Sequence, residues 1–403
     1  MLMVPHLDET SYRYPGWRIV AVCFVVATFG WALGFYGQSV YLAELQRLHG
    51  WPSSLIATAT TAFYLGSALL VAFVGDVMRA VGARVCLLGG IVTMALGTAL
   101  LGRITAPWQL YAVDALLAVG WAGMSLGAIT NTLGLWFHHR RGMAISLALN
   151  GASFGGIVGA PLMVLAISHL GFAGATLAAA CATLILVPLV AIAVGPPPHR
   201  AEPVIAGTGA ARAMSSGALR SAAFRDRAFL TVTIAFALVL FAQVAFIVHL
   251  IAYLDPLIGR ERAALAMSLL TMMAVVGRVS VSTVIDRLDQ RLVSAISFLS
   301  QAIALGIVIL VHDPVWLIAA CMLFGFSVGN LITLPALIVQ REFPASSFGV
   351  LVALNTAINQ VTYAFGPGAV GLLHDWSGSY TLPFASCIAL QVAAAILVMV
   401  RGK

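Results

Sequence analysis

The sequence predicts an all-α membrane protein of twelve transmembrane helices arranged as two pseudo-symmetric six-helix bundles. Three observations predict it. Hydrophobic residues make up 61% of the 403 positions and charged residues 9%, whereas soluble domains carry roughly 45–50% and about 25%. A chain this apolar could not cover its own surface in water, so lipid is its solvent. Apolar windows of about 20 residues, enough to cross some 30 Å of hydrocarbon, recur twelve times, and landmarks of the first half return 207 residues later in the second.

In chain order the windows are 17–41, 54–76, 85–104, 108–135, 143–168 and 172–195, then 228–252, 262–285, 292–311, 314–338, 349–372 and 381–401. The first, from Trp17 to about Tyr41, is too long for the apolar core of a cleavable signal and reads as a retained helix. Between the sixth and seventh lies GPPPHRAEPVIAGTGAARAMSSGALRSAAFRDR, Gly195 to Arg227. Its Pro, Gly, Ser and Arg content reads as a linker, with room for a short surface helix near its end. The expected organisation is therefore a bundle over 1–194, a cytoplasmic linker over 195–227 and a second bundle over 228–403. Arg84 and Arg291, Gly142 and Gly349, and Gly171 and Gly378 are each 207 residues apart and take matching places in their halves. Three anchors at one offset indicate a parallel duplication, and such folds hold substrate where the halves meet, near the bilayer midplane.

Twelve spans leave both termini on one face. The connections on that face carry Arg79 and Arg84, Arg140 and Arg141, Arg200 through Arg227, Arg287 and Arg291, and Arg341; the termini add Arg13, Arg18, Arg401 and Lys403. The opposite connections carry only Arg47, Arg103, Arg260 and Arg262. The positive-inside rule places both termini in the cytoplasm, and the expected location is a bacterial cytoplasmic (inner) membrane. The net charge of +7 forms no long solvated basic run with interleaved aromatics, so nucleic acid is not an expected partner; membrane lipid is. Cys23, Cys86, Cys181, Cys321 and Cys387 lie singly in apolar segments, with no pairing that suggests a metal site or a disulfide framework. No nucleophile triad, HExxH or phosphate loop occurs, which excludes the common enzyme classes and gives no cofactor.

MMAVVGRVSVSTVIDRLDQR, Met272 to Arg291, holds one charge inside its apolar part. Arg278 lies eight residues from Asp286, roughly 12 Å into the membrane at 1.5 Å per residue. A central Arg costs about 2.5–3.5 kcal/mol on insertion scales and cannot shed its charge. It needs a cavity, a partner or an anion, and its planar fork suits a carboxylate. Permanent protein partners are scarce: Asp114, near the outer end of helix four, is the only acid well inside a span. Asp114 is a candidate proton carrier, weighed against a carboxyl that reaches outer water or caps a loop. His249, near the outer end of helix seven with Tyr253 one turn on, is a candidate for substrate contact, gating or proton transfer. Asn355 and Asn359 share a face of helix eleven, with Gln360 beside them. Asn330, Tyr36 and Gln38 are further polar candidates, and inter-helix hydrogen bonding is the alternative role for all of these. Gly151, Gly155 and Gly159, four apart on helix five, admit a neighbouring backbone.

STVIDRLDQR resembles the signature of the major facilitator superfamily through Asp286, Arg287 and Arg291, and GDVMRAVGAR through Gly75, Gly82 and Arg84. In the first half Arg79 stands where the signature has an acid, and Asp76 comes three residues early. GWRIV, LWFHHRRGMAISLALNGASFGG, REFPASSFG and AFGPGAVGLLHDWSGSY are similar to the monocarboxylate and oxalate transporter branch. The resemblance implies secondary active transport of a small organic anion by alternating access, with a proton as candidate co-substrate. It also implies an anion-binding Arg on helix eight, here Arg278, and cavity-lining first and seventh helices, hence Tyr36 and Gln38. Gln38 replaces the Lys of monocarboxylate transporters, Ala274 replaces their acid before the helix-eight Arg, and helix eleven has no second cation. One buried positive charge matches a monoanion. The competing readings are an efflux transporter of amphipathic drugs or metabolites and a non-transporting membrane receptor or assembly protein.

Overall fold

Four of the long helices begin at a side-chain cap or a proline. The computed structural model describes residues 9, 11, 14–137, 140–195, 216–282, 285–344 and 347–401. Residues 196–215 of the expected linker lie outside these, as do Arg13, Arg200, Arg212 and Lys403 of the orientation argument. Among the described residues every regular element is a helix. The first six lipid-length helices are α1 (Gly16–His49), α2 (Ser53–Val81), α3 (Ala83–Leu101), α4 (Pro107–Gly134), α5 (141–170) and α6 (172–193). The second six are α7 (Arg227–Ile258), α8 (Arg260–Ser282), α9 (Gln290–Leu310), α10 (Pro314–Glu342), α11 (348–377, made of Phe348–Ala364 and Gly366–Ser377) and α12 (Thr381–Met399). Among the described residues ten helices are long and apolar enough to cross a membrane, with 141–193 counted as one and the two pieces of α11 not among them. A short helix, Ser216–Ala223, precedes α7, and its last residue packs with Phe229, Val339 and Leu351.

Free N–H groups at helix starts are met by short acidic or hydroxyl side chains. Asp226 accepts from Phe229 at the start of α7, Asp289 from Arg291 at α9 and Asp313 from Val315 at α10. Pro107 and Pro314 open α4 and α10, where the missing N–H has no partner to lose. α5 and α6 form one run interrupted by Gly171, whose φ of 68° and ψ of 172° reverse the chain; a Cβ is disfavoured there. Gly378, which ends α11, has the same φ of 68°.

The two halves repeat in register. α2 and α8 start at Ser53 and Arg260, α3 and α9 at Ala83 and Gln290, α4 and α10 at Pro107 and Pro314, α5 and α11 at Arg141 and Phe348. Each pair is 207 residues apart. Partner choice repeats as well: α3 packs on α6 as α9 does on α12, and α1 packs on α6 as α7 does on α12.

The chain divides into two compact units, one of residues 1–37, 66–159 and 166–208, the other of 38–65, 160–165 and 209–403. The end of α1 and the first turns of α2 thus belong with the second unit. In the first unit, glycine lets backbones touch. A Cβ on Gly90 would lie 2.7 Å from Gly123 Cα across α3 and α4; one on Gly151 would lie 2.0 Å from the Phe24 carbonyl, and one on Gly155 2.3 Å from that of Thr28. Gly159 meets Ala32 in the same row. In the second unit Phe236, Phe298, Leu334 and Val398 centre an apolar core.

Candidate functional site

Arg278 is half-buried on α8, and main chain fixes where its head can go. α10 passes through Gly329 with helical backbone angles (φ −63°, ψ −31°), which joins a segment ending at Val328 to one beginning at Asn330. Gly329 is the joint, and its carbonyl accepts a hydrogen bond from Arg278 Nε at 3.3 Å. The helices approach because three glycines lie between them. A Cβ on Gly277 would fall 1.8 Å from the Phe326 carbonyl, one on Gly325 2.1 Å from that of Leu270, and one on Gly329 2.0 Å from that of Ala274. Asn330, next to the joint, is buried and donates to the Phe326 carbonyl at 3.4 Å.

On α11, Asn359 donates to Asn355 Oδ1 at 3.3 Å, and both side chains are buried. Asn359 Oδ1 has no hydrogen-bond partner. Gln38, buried on α1, accepts from Thr60 Oγ1 at 3.1 Å while its Nε2 has none. A buried unpaired polar atom costs about 1–3 kcal/mol. Tyr36 is buried at the end of a π-helical segment, Trp31–Tyr36, with its ring against Phe35. Such widened turns gather at functional positions.

His249 is fully buried on α7, with both ring nitrogens engaged by protein. Nε2 lies 3.0 Å from the Pro367 carbonyl, which only accepts, so Nε2 carries the hydrogen. Nδ1 then accepts from the Tyr380 hydroxyl at 3.2 Å, with the Ser53 hydroxyl at 3.5 Å. Asp114 is 3% exposed; it neither reaches water nor sits in a loop, contrary to the alternative entertained from sequence, because the α4 face that carries it also carries Leu110, Leu117 and Ala118, all buried.

The signature residues behave unequally. Arg291 is 1% exposed and makes a two-point pair with Glu342, Nε to Oε1 at 2.6 Å and Nη2 to Oε2 at 2.7 Å. It also donates to the Val398, Val400 and Ala228 carbonyls and to Thr231, tying the ends of α7, α9, α10 and α12 together. Arg84, its counterpart, is exposed. Arg79 pairs with Asp76 on an exposed face of α2, beside Gly75, and Gly82 caps the start of α3 with φ 86°. Asp286 and Arg287 lie in a 3-10 turn before α9. Sequence reasoning missed Glu342, Asp375 and a buried amide chain, Gln391 to Gln301 to Gln243, at 3.1 and 2.8 Å. Polar residues in apolar windows were the available signal for the glutamines.

The family model described as Major Facilitator Superfamily matches residues 20–367 and 258–402. Monocarboxylate transporter 12-B of Danio rerio is 25% identical, over 92% of this chain and 83% of its own. Monocarboxylate transporter 13 of Bos taurus is 27% identical, over 94% and 87%. Among solved structures, the nucleoside transporter NupG superposes with a TM-score of 0.76 at 13% identity, covering 96% of this chain and 100% of its own. A bacterial homologue of the human lysosomal transporter Spinster, solved inward-facing and unoccupied, gives 0.73 at 12% identity, covering 96% and 95%. At those identities the solved structures bear on the fold alone.

Proposed function

Because the chain belongs to the major facilitator superfamily and is similar along most of its length to monocarboxylate transporters, we propose that it carries a small organic anion, a monocarboxylate, across the membrane by alternating access. The observation that carries the reading is Arg278: a permanent cation within a lipid-length helix, its Nε held by the Gly329 carbonyl of α10. A guanidinium is a planar donor fork that matches a carboxylate. Asn330, one residue from the joint, and Asn359 and Gln38 are offered as contacts for the rest of the solute, with Asn355 orienting Asn359 and with His249 completing the candidate set. No Lys occurs within the spans and Ala274 stands one turn from Arg278, so a single negative charge balances the site best.

The Arg bias of the connections supports cytoplasmic termini. The two monocarboxylate transporters are animal proteins; the location we propose for this chain is a bacterial inner membrane. Asp114 and His249 are the buried titratable side chains we assign to a coupled proton, to be tested by substrate-driven pH change in proteoliposomes. The anion reading is tested by thermal shift with lactate, pyruvate, oxalate and a neutral amide analogue. A true substrate at a hundred times its Kd stabilises the fold by about 2.7 kcal/mol. Stabilisation by monocarboxylates in wild type and not in Arg278→Ala is expected. Stabilisation by neutral or cationic amphiphiles that survives Arg278→Ala would replace this reading with efflux.

A further inference from the structure

The motif LLHDWSGSY, Leu372 to Tyr380, supplies no residue to the proposed anion site and meets it only where Tyr380 contacts His249, yet it carries a dense polar cluster. Asp375, at the end of α11, accepts two backbone hydrogen bonds from the first turn of α2: Ser53 N–H to Oδ1 at 3.2 Å and Ser54 N–H to Oδ2 at 2.7 Å. One carboxylate therefore caps a helix from elsewhere in the chain, and its charge faces the positive end of the α2 dipole. His374 lies 3.1 Å from Asp375 Oδ1 and stacks on Tyr380 with centroids 4.2 Å apart. Tyr380 in turn contacts His249 Nδ1, which shares the Ser53 hydroxyl. Directly below, Gly371 lets α11 lie on α2: its Cβ would fall 3.0 Å from the Ser53 carbonyl, and the Gly368 N–H donates to Thr61 Oγ1 at 3.1 Å. Gly378, in the left-handed conformation, turns the chain so that Tyr380 returns over the cluster.

We propose that Asp375 is a latch: it holds the first turns of α2 against the end of α11 on the face opposite the chain termini, and its release is a step of the transport cycle. α2 belongs by sequence to the first six helices, but its residues 53–65 group with the second unit. Alternating access requires the two six-helix repeats to separate on each face in turn. A bond between α2 and α11 must break for one of those faces to open. Hydrogen bonds to a carboxylate suit this role. Each is stronger than a neutral one, yet both partners are readily satisfied by water once apart: the N–H groups of a helix start and the carboxylate are ordinary solvated groups. An apolar seam of the same length has no such second state. His374 and Tyr380 are positioning residues, one holding Oδ1 and the other holding His249 beside Ser53.

Hydrogen–deuterium exchange on the full chain in lipid nanodiscs without substrate tests the latch independently of the anion reading. In Asp375→Asn, amides of residues 53–58 are expected to exchange about tenfold faster than in wild type, the effect of losing a charged acceptor. Asp375→Glu, which keeps the charge, is expected to recover part of the protection. α9 serves as the internal reference, being remote in sequence and packed on α12. Unchanged exchange over 53–58, or equal acceleration in α9, overturns the proposal.

Discussion

The guanidinium of Arg291 closes on both carboxylate oxygens of Glu342 while remaining 1% exposed, the largest side chain so completely enclosed among the described residues. Breaking a buried pair from one side strands the other charge, a loss of about 3–5 kcal/mol. Glu342→Ala is therefore expected to lower the melting temperature by many degrees. Arg84→Ala, at the equivalent exposed position, is expected to stay within about 0.5 kcal/mol of wild type. Differential scanning fluorimetry in one detergent compares the two. Equal effects would mean that the pair is not what holds the ends of α9 and α10 together.

The asymmetry between Arg84 and Arg291 bears on how much the sequence discloses. Both arginines stand at the same offset from their helices, and the signature marks both. Their environments differ because position 342 is Glu whereas the counterpart, 207 residues earlier, is Leu135. Periodicity and composition make the helices, their starts and the repeat legible, since those depend on lipid thickness and local capping. They do not disclose which polar residues meet across helices. Asp375 reads as a loop acid after an apolar window, and only the fold brings Ser53 and Ser54 to it. Conversely, Arg278 was conspicuous because a charge in an apolar run has a local cost whatever surrounds it; its anchor, the Gly329 carbonyl, was invisible because every residue has one.

The glycines between α8 and α10 give a second prediction. A methyl group on Gly277 would lie 1.8 Å from the Phe326 carbonyl, against open space at Gly142. Gly277→Ala forces backbone apart and is expected to cost about 1–3 kcal/mol and to impair anion-dependent stabilisation, because Arg278 is the next residue. Gly142→Ala, on the first turn of α5, is expected to be neutral or to stabilise by about 0.4–1 kcal/mol. Melting temperatures with and without lactate test both. A Gly277→Ala protein that melts and binds as wild type would contradict the close approach.

The amide chain predicts an order of effects. Gln301 is its middle member, donating to Gln243 and accepting from Gln391. Gln301→Leu strips a donor from one neighbour and an acceptor from the other, so about 1–3 kcal/mol of stability should be lost. Gln391 is the end member and its Oε1 is already unpaired. Gln391→Leu removes that orphan while creating another on Gln301, and its net effect should be smaller. Melting temperatures that rank the two in reverse would show that packing, and not the hydrogen-bond chain, sets their importance.

Arg278→Lys separates charge from geometry at the proposed anion site. Both side chains are cationic, so a site needing only charge would tolerate the change. Arginine, however, donates from Nε to the Gly329 carbonyl at 3.3 Å and carries its charge on a planar fork with further donors. Lysine has one compact ammonium for both tasks. If it stays on the carbonyl, the solute meets a shared charge; if it leaves, the joint of α10 loses its side-chain donor. Either way the two-point contact is lost, a penalty of one charged hydrogen bond, about 1.5–3 kcal/mol. Initial rates of lactate uptake into proteoliposomes should show KM raised by about tenfold or more with transport retained, whereas Arg278→Ala should abolish it. An unchanged KM in the Lys variant would mean that the fork itself recognises nothing and that Arg278 acts through its charge alone.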